Sequence, residues 1–379
     1  MNFVALKMLT GDRAKYLALI FAIAFSTFLL ENQTSIFAGI LRRTGSQIRD
    51  VSDAAIWVMD RSTEYFEQTK ALKDTDLDRV RSVDGVRWAV KLYKGAPVAR
   101  TLAGKFATTF CLGVDDATLT GVPRVMLMGS WDRLREPDSV IIDKAGYILL
   151  FPGEPLQLGR TLELNDHKVT IVGISDASPP FVSWPVLHAR YSLAVNFVGH
   201  ERTELSYVLV QPAAGVDAKQ LCRRIENQTG LRARTSGQFQ WDCIAYYLKN
   251  TGIPVNFGIT IIIALIVGAV VAGQTFYLFT IENLKQFGAL KAIGVTNWRL
   301  VGMVLLQAAA VGLIGFSFGT GMAAEFFNFF AQKMATRGII LMWQSVAITG
   351  SCISFVVILA SILSLRRVLV LEPAIVFRS

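Results

Sequence analysis

Four separated stretches, residues 17–41, 254–280, 300–324 and 344–365, carry almost no charge. Each is long enough, at ~1.5 Å per residue, to cross a ~30 Å hydrocarbon core as a helix. Lipid cannot hydrogen-bond a backbone, so a stretch that crosses it satisfies its own peptide groups and is helical. Of the 379 residues 52% are hydrophobic and 18% charged, a balance too apolar for an ordinary soluble chain. Roughly two hundred residues of mixed, charge-bearing sequence separate the first stretch from the second. The expected fold is an α-helical membrane protein with four transmembrane helices and a large α+β extracytoplasmic domain.

Orientation follows from the basic residues near the span ends, which concentrate on the cytoplasmic side. Lys7, Arg13 and Lys15 precede the first span, Lys285, Lys291 and Arg299 lie in the loop 281–299, and Arg366, Arg367 and Arg378 follow the last. With four spans all three groups face one side. The N-terminal segment 1–16, the loop 281–299 and the tail 366–379 are therefore expected in the cytoplasm, and the insert 42–253 and the short loop 325–343 outside. These topology markers account for most of the net charge of +9, which argues against a nucleic-acid surface.

A basic start followed by an apolar run also describes a cleaved signal peptide. The apolar pattern here continues past Glu31, Asn32 and Gln33 to residue 41 without a small-x-small cleavage site, so an uncleaved anchor is expected. Glu31, Asn32 and Gln33 lie near the expected outer boundary, as does Glu325, and the polar trio reads either as a hydrated helix end or as a contact facing the bundle. Apart from these two, the spans offer neutral polar groups such as Gln274, Gln307 and Ser354, which gives no support to an ion relay.

The insert alternates in period. A strand-like run at 54–59, a helical stretch at 76–83 and a strand at 86–92 form one β-α-β unit. A second occupies 205–210, 217–228 and 231–235. Two such units around a long excursion, about 113–199, predict a split α+β sandwich of the ferredoxin-like kind plus a second, mostly β lobe. The excursion shows a strand at 139–143 and a hairpin of 160–164 with 168–172, turning at Asn165, Asp166 and His167.

No catalytic, cofactor or metal site is expected. His167, His188 and His200 lack a nucleophile or carboxylate at a specifying distance, and Asp115-Asp116 reads as a solvated helix start. Cys111, Cys222, Cys243 and Cys352 show no metal-ligand spacing, although Cys222 and Cys243 could pair in an oxidising compartment. A phosphate-binding G-x-x-x-x-G-K-[ST] loop is absent from the sequence; Gly104-Lys105 is followed by Phe106 and lacks the upstream glycine.

The loop between the second and third spans reads Glu-Asn-Leu-Lys-Gln-Phe-Gly-Ala-Leu-Lys-Ala-Ile-Gly at 282–294, a short amphipathic helix. Phe287, Leu290 and Ile293 are expected to form an exposed apolar edge beside a polar side marked by Glu282, Lys285 and Lys291. Gly288 would permit close approach and Gly294 would end the helix. In the spans, Gly315 with Gly319 and Gly268 with Ala272 are expected helix-packing pairs.

The order Glu282, Lys285, Phe287, Gly288, Leu290, Lys291, Ala292, Gly294 resembles the E-x-x-x-[FY]-G-x-L-[KR]-A-x-G loop of FtsX-like permeases, the membrane subunits of MacB-, LolC- and DevC-type ABC exporters. The tail Arg366-Arg367 with Glu372-Pro373-Ala374 is similar too, and the start of the insert looks most like DevC-type permeases. Asn283-Leu284 and Asn297-Trp298 depart from the pattern. The resemblance implies that Glu282, Lys285, Phe287, Gly288, Leu290, Lys291, Ile293 and Gly294 form a coupling helix on a separate cytoplasmic ABC ATPase. It further implies a homodimer in a bacterial inner membrane, a porter-like ectodomain, and export with a HlyD-like periplasmic adaptor and an outer-membrane channel. The alternatives are an FtsX-like signal transmitter that activates a cell-wall hydrolase, or LolC-like lipoprotein release.

Overall fold

The computed structural model describes residues 2–11, 13–198, 205–331, 333 and 336–369. The side chains of Lys15, Arg366 and Arg367, together with Asp12, His200, Glu372, Pro373, Ala374 and Arg378, lie outside the described residues. The chain divides into two compact units: Met1–Ala38 with Gly252–Ala331 and Ile339–Ser379, and Gly39–Thr251 with Gln332–Gly338.

The first unit is built on long helices. Arg13–Thr44, Ile253–Glu282, Asn297–Phe330 and Trp343–Leu369 each contain a stretch long and apolar enough to cross a membrane. Leu19, Ile23, Leu30, Ala272, Phe276, Ala308, Val311 and Val356 share its core. Glycine sets how closely the helices approach. A Cβ added at Gly315 would lie 2.7 Å from Ile23 Cβ, one at Gly319 2.5 Å from the Ala24 carbonyl oxygen, and one at Gly268 2.8 Å from Ser26 Oγ. The small residues thus pack helices within one chain, and Ala272 is buried among them.

Of the two readings of Glu31, the structure matches the bundle-facing contact and not the hydrated helix end. Glu31 is fully buried, and its Oε1 accepts from the Thr320 hydroxyl at 2.8 Å. The helix runs on to Thr44, so Glu31 sits near its middle and faces the bundle. Glu325 is exposed.

The second unit contains a sheet of twelve strands among the described residues. At one end Arg232–Thr235, Ile56–Met59, Tyr207–Pro212 and the start of Val86–Gly95 lie side by side, all antiparallel. In chain order that is 4-1-3-2, the ferredoxin-like arrangement of two split β-α-β units, with Asp74–Arg81 and Ala218–Thr229 as their helices. The strand Val86–Gly95 outlasts its partner, and its last residues Tyr93–Gly95 pair instead with Cys111–Gly113. Through that extension the excursion, which begins directly after Gly95 and not near residue 113 as expected, continues the same sheet: Phe110–Val114, Val186–Arg190, Ser139–Asp143, His167–Ser175, Thr161–Leu164, Val98–Arg100 and Phe106–Thr108 follow in turn. The hairpin Thr161–Leu164 with His167–Ser175 turns on Asn165 (φ 43°) and Asp166 (φ 70°), the two positive-φ residues that a two-residue turn needs.

Apolar residues cover both faces of the sheet. One face packs Ile56, Val58, Val208, Val210, Leu221 and Ile225 together. The other buries Trp57, Phe66, Tyr207 and Phe239, with Trp57 edge-on to Tyr207 at 5.4 Å and Phe66 stacked on Tyr207 at 5.4 Å. Cys222 belongs to the first face and Cys243 to the second; both are free, which removes the disulfide option.

Candidate functional site

The polar loop is a helix in its own right, Leu284–Ala292, set off from the preceding helix at Asn283. Gly294 ends it at φ +90°, where Val295 N donates to Leu290 O at 3.1 Å, a left-handed closure that a side chain would strain. Thr296 then turns extended, and the third long helix begins at Asn297.

The structure redistributes the predicted apolar edge. Phe287 is only 1% exposed and packs with Ala5, Leu300, Met303 and Val304, flanked by Leu284, Leu290 and Val295. Gly288 is buried beside it. Ile293 is 78% exposed. Two things separate Phe287 from Ile293: at ~100° per residue positions six apart drift by ~120° around a helix axis, and Ile293 already lies past the last helical residue, Ala292. The outward surface includes instead Glu282, Lys285, Gln286, Ala289, Ile293, Arg299 and Trp298, the last 84% exposed. Lys291 is half-buried.

A further element escaped the sequence reading. Asn2–Gly11 is a helix, and it lends Ala5 to the Phe287 cluster while Gln307 Nε2 donates to the Ala5 carbonyl at 2.8 Å. The spacing of Ala5, Met8 and Leu9 is the signal that could have revealed it, but the segment is short and its apolar residues are not confined to one face.

In the ectodomain the titratable groups are structural. His188 is fully buried, and burial pushes its pKa down to about 3, so it stays neutral. Lys94 Nζ donates to the Phe66 and Glu67 carbonyls at 3.1 and 3.0 Å, pinning that loop; burial pushes its pKa down to about 8 against the pull of Glu67. Asp115 accepts from Thr118, and Asp116 from Ser192 at 2.7 Å, so the acidic pair braces turns. Among the described residues no three histidine, cysteine or carboxylate groups could hold a metal ion.

Four membrane-length helices among the described residues, an external α/β domain spliced after the first of them, and a short helix displayed between the second and third define a polytopic permease architecture. Residues 17–228 match the MacB-like periplasmic core domain and residues 258–373 the FtsX-like permease C-terminal domain. The chain belongs to the ABC transporter permeases of the FtsX-like kind with a MacB-like periplasmic core domain, and is a multi-pass membrane protein of that family. In this family the permease is the non-catalytic transmembrane component. Uncharacterised ABC transporter permeases of Mycobacterium bovis and Mycobacterium tuberculosis are 28% identical over 138 residues, 36% of this chain. The match spans only 38% of those relatives' length. Among solved structures, the extracellular domain of the noncanonical ABC-type transporter YknZ from Gram-positive bacteria aligns at 16% identity and a TM-score of 0.36, covering 48% of this chain and 98% of that one. The periplasmic region of MacB from Actinobacillus actinomycetemcomitans aligns at 14% identity and 0.38, covering 54% and 96%.

Proposed function

We propose that this chain is the permease of an ATP-driven exporter, receiving the closure of a separate cytoplasmic ABC ATPase at the loop 281–299 and relaying it to the ectodomain. The observation that carries the reading is the display of Ile293 and Trp298. Two large apolar side chains stand exposed on a loop whose own framework is fixed from beneath by Phe287. Exposed aromatic and aliphatic anchors on a rigid helix are what a groove on a partner recognises. Glu282 and Lys285 supply a polar rim around them. Asn297-Trp298, where the loop departs from the family pattern, tunes which ATPase is accepted.

The chain works as a homodimer in a bacterial inner membrane with both termini in the cytoplasm, and the basic residues at the span ends support that orientation. The ectodomain recruits a HlyD-like periplasmic adaptor, with an outer-membrane channel beyond it, and the cargo is hydrophobic or amphipathic. Gly268, Ala272, Gly315 and Gly319 hold the helices close enough to move as a unit.

Impermeant thiol labelling tests orientation and docking together. In intact spheroplasts Arg160→Cys should react and Gln286→Cys should not. In inverted vesicles Gln286→Cys should react and become shielded when the ATPase is co-expressed. Labelling of position 286 in intact spheroplasts would overturn the reading.

A further inference from the structure

The chain between the third and fourth long helices contributes a side chain to the interior of the ectodomain. Arg337 is 12% exposed; its guanidinium donates to Asp143 Oδ2 and to the Ala177 carbonyl, and lies 3.8 Å from Asp176. Asp143 is fully buried, where its other oxygen accepts from Val186 N at 2.8 Å and from Gly146 N at 3.2 Å, capping the helix Lys144–Leu150. Burial pushes the Asp143 pKa up, and Arg337 is the cation that opposes this.

The same region is held from a second direction. Arg43, in the last turn of the first long helix, donates to the Arg337 carbonyl and to Ser183 Oγ at 3.0 Å. Beyond it Ser46 Oγ donates to Pro179 O at 2.8 Å and Gln47 Nε2 to Ser178 O at 2.6 Å, while Asp50 accepts from the Ser178 amide at 2.6 Å. Gly338, at φ +74°, lies so close to Pro179 that an added Cβ would sit 2.7 Å from its Cγ. Residues 176–184 are therefore gripped by the chain leaving the first span and by the chain joining the third span to the fourth. A buried ion pair adds little net stability over apolar packing, but losing one partner is costly, so its value lies in fixing one arrangement.

We infer that Arg337 is a positioning residue that lashes the loop between the third and fourth spans to the ectodomain, making this loop a third mechanical connection beside the two points where the chain itself passes between membrane and ectodomain. The inference rests on the reading that ATPase closure is relayed to the ectodomain. Without the lash, movement of the third and fourth spans would reach the ectodomain only through the first and second.

The test uses the full-length chain with its copurified ATPase in nanodiscs, following hydrogen exchange in residues 139–143 and 176–190 with and without ATP and vanadate. Arg337→Ala leaves the Asp143 carboxylate buried and unpaired, so it should lower thermal stability as well as the response. Arg337→Ala with Asp143→Asn removes that charge while keeping an acceptor for Gly146 N and Val186 N, and should melt near wild type. The double variant should keep its ATPase and its hydrolysis rate, yet lose at least half of the nucleotide-dependent exchange change, and Arg337→Lys should retain most of it. A double variant that melts normally and responds fully would overturn the lash. Absence of any response in the wild-type complex would instead overturn the relay itself.

Discussion

Replacing Gly319 with leucine should prevent the first and third long helices from closing on one another. A Cβ at this position already meets the Ala24 carbonyl oxygen and Thr27 Cβ at 2.5 Å, and the first of these is backbone, which cannot rotate away. Overpacking a well-filled interior typically costs about 1–3 kcal/mol, and two contacts this short with the facing helix place leucine above that range. The contact is also next to the Thr320 hydroxyl bond to Glu31, so separating the helices strands a carboxyl group inside the bundle. The expected result is loss of the monodisperse peak in detergent size-exclusion chromatography, with Gly319→Ala reduced but present. Gly321, beside which there is open space, is the control: Gly321→Ala should behave as wild type. A Gly319→Leu protein with wild-type yield and melting would show that the two helices do not meet there.

The loop helix should separate stability from partner binding. Phe287→Asp places a charge in the cluster of Ala5, Leu300, Met303 and Val304. Truncating a buried phenylalanine alone costs about 3–5 kcal/mol, and a buried unpaired charge adds to it. That variant should fail to accumulate as folded protein. Ile293→Asp and Trp298→Asp fall on exposed positions, where a substitution typically changes stability within about 0.5 kcal/mol. Both should fold and insert normally but lose most of the copurifying ATPase, because a desolvated charge in the centre of a small interface outweighs what its rim supplies. Thermal unfolding and affinity purification of the same three variants check the split. If Ile293→Asp and Trp298→Asp together left ATPase recovery unchanged, docking through the exposed face would be wrong.

The contrast between Phe287 and Ile293 shows where sequence reasoning stops. Composition and span length mark four apolar helices, and the period of 54–92 and 205–235 marks two β-α-β units, because these signals are local. The turn at Asn165 and Asp166 is equally local, since few residues accept positive φ. What the two halves share is not local. The excursion joins the sheet through Tyr93–Gly95, three residues at the end of a strand whose sequence says nothing of a change of partner. Arg337 resembles any basic residue in a short outer loop until Asp143 is seen beneath it. Glu31 looks like the end of a span because its neighbours Asn32 and Gln33 are polar, whereas the helix runs on to Thr44. For the loop helix, a three-residue repeat suggests one edge, yet helical phase and the unforeseen helix Asn2–Gly11 decide which side is covered.

The relay from a separate ATPase to the ectodomain is tested most directly by purifying the full-length protein from its own membranes in mild detergent and identifying what accompanies it. An ABC ATPase should be recovered in comparable amount, and photoreactive residues placed across 113–199 should capture a periplasmic adaptor. Capture of a cell-wall hydrolase with no adaptor would replace export by signalling while keeping the relay. Recovery of the intact, folded protein with no ATP-hydrolysing partner, under conditions where Gln286→Cys is freely labelled from the cytoplasmic side, would contradict the account.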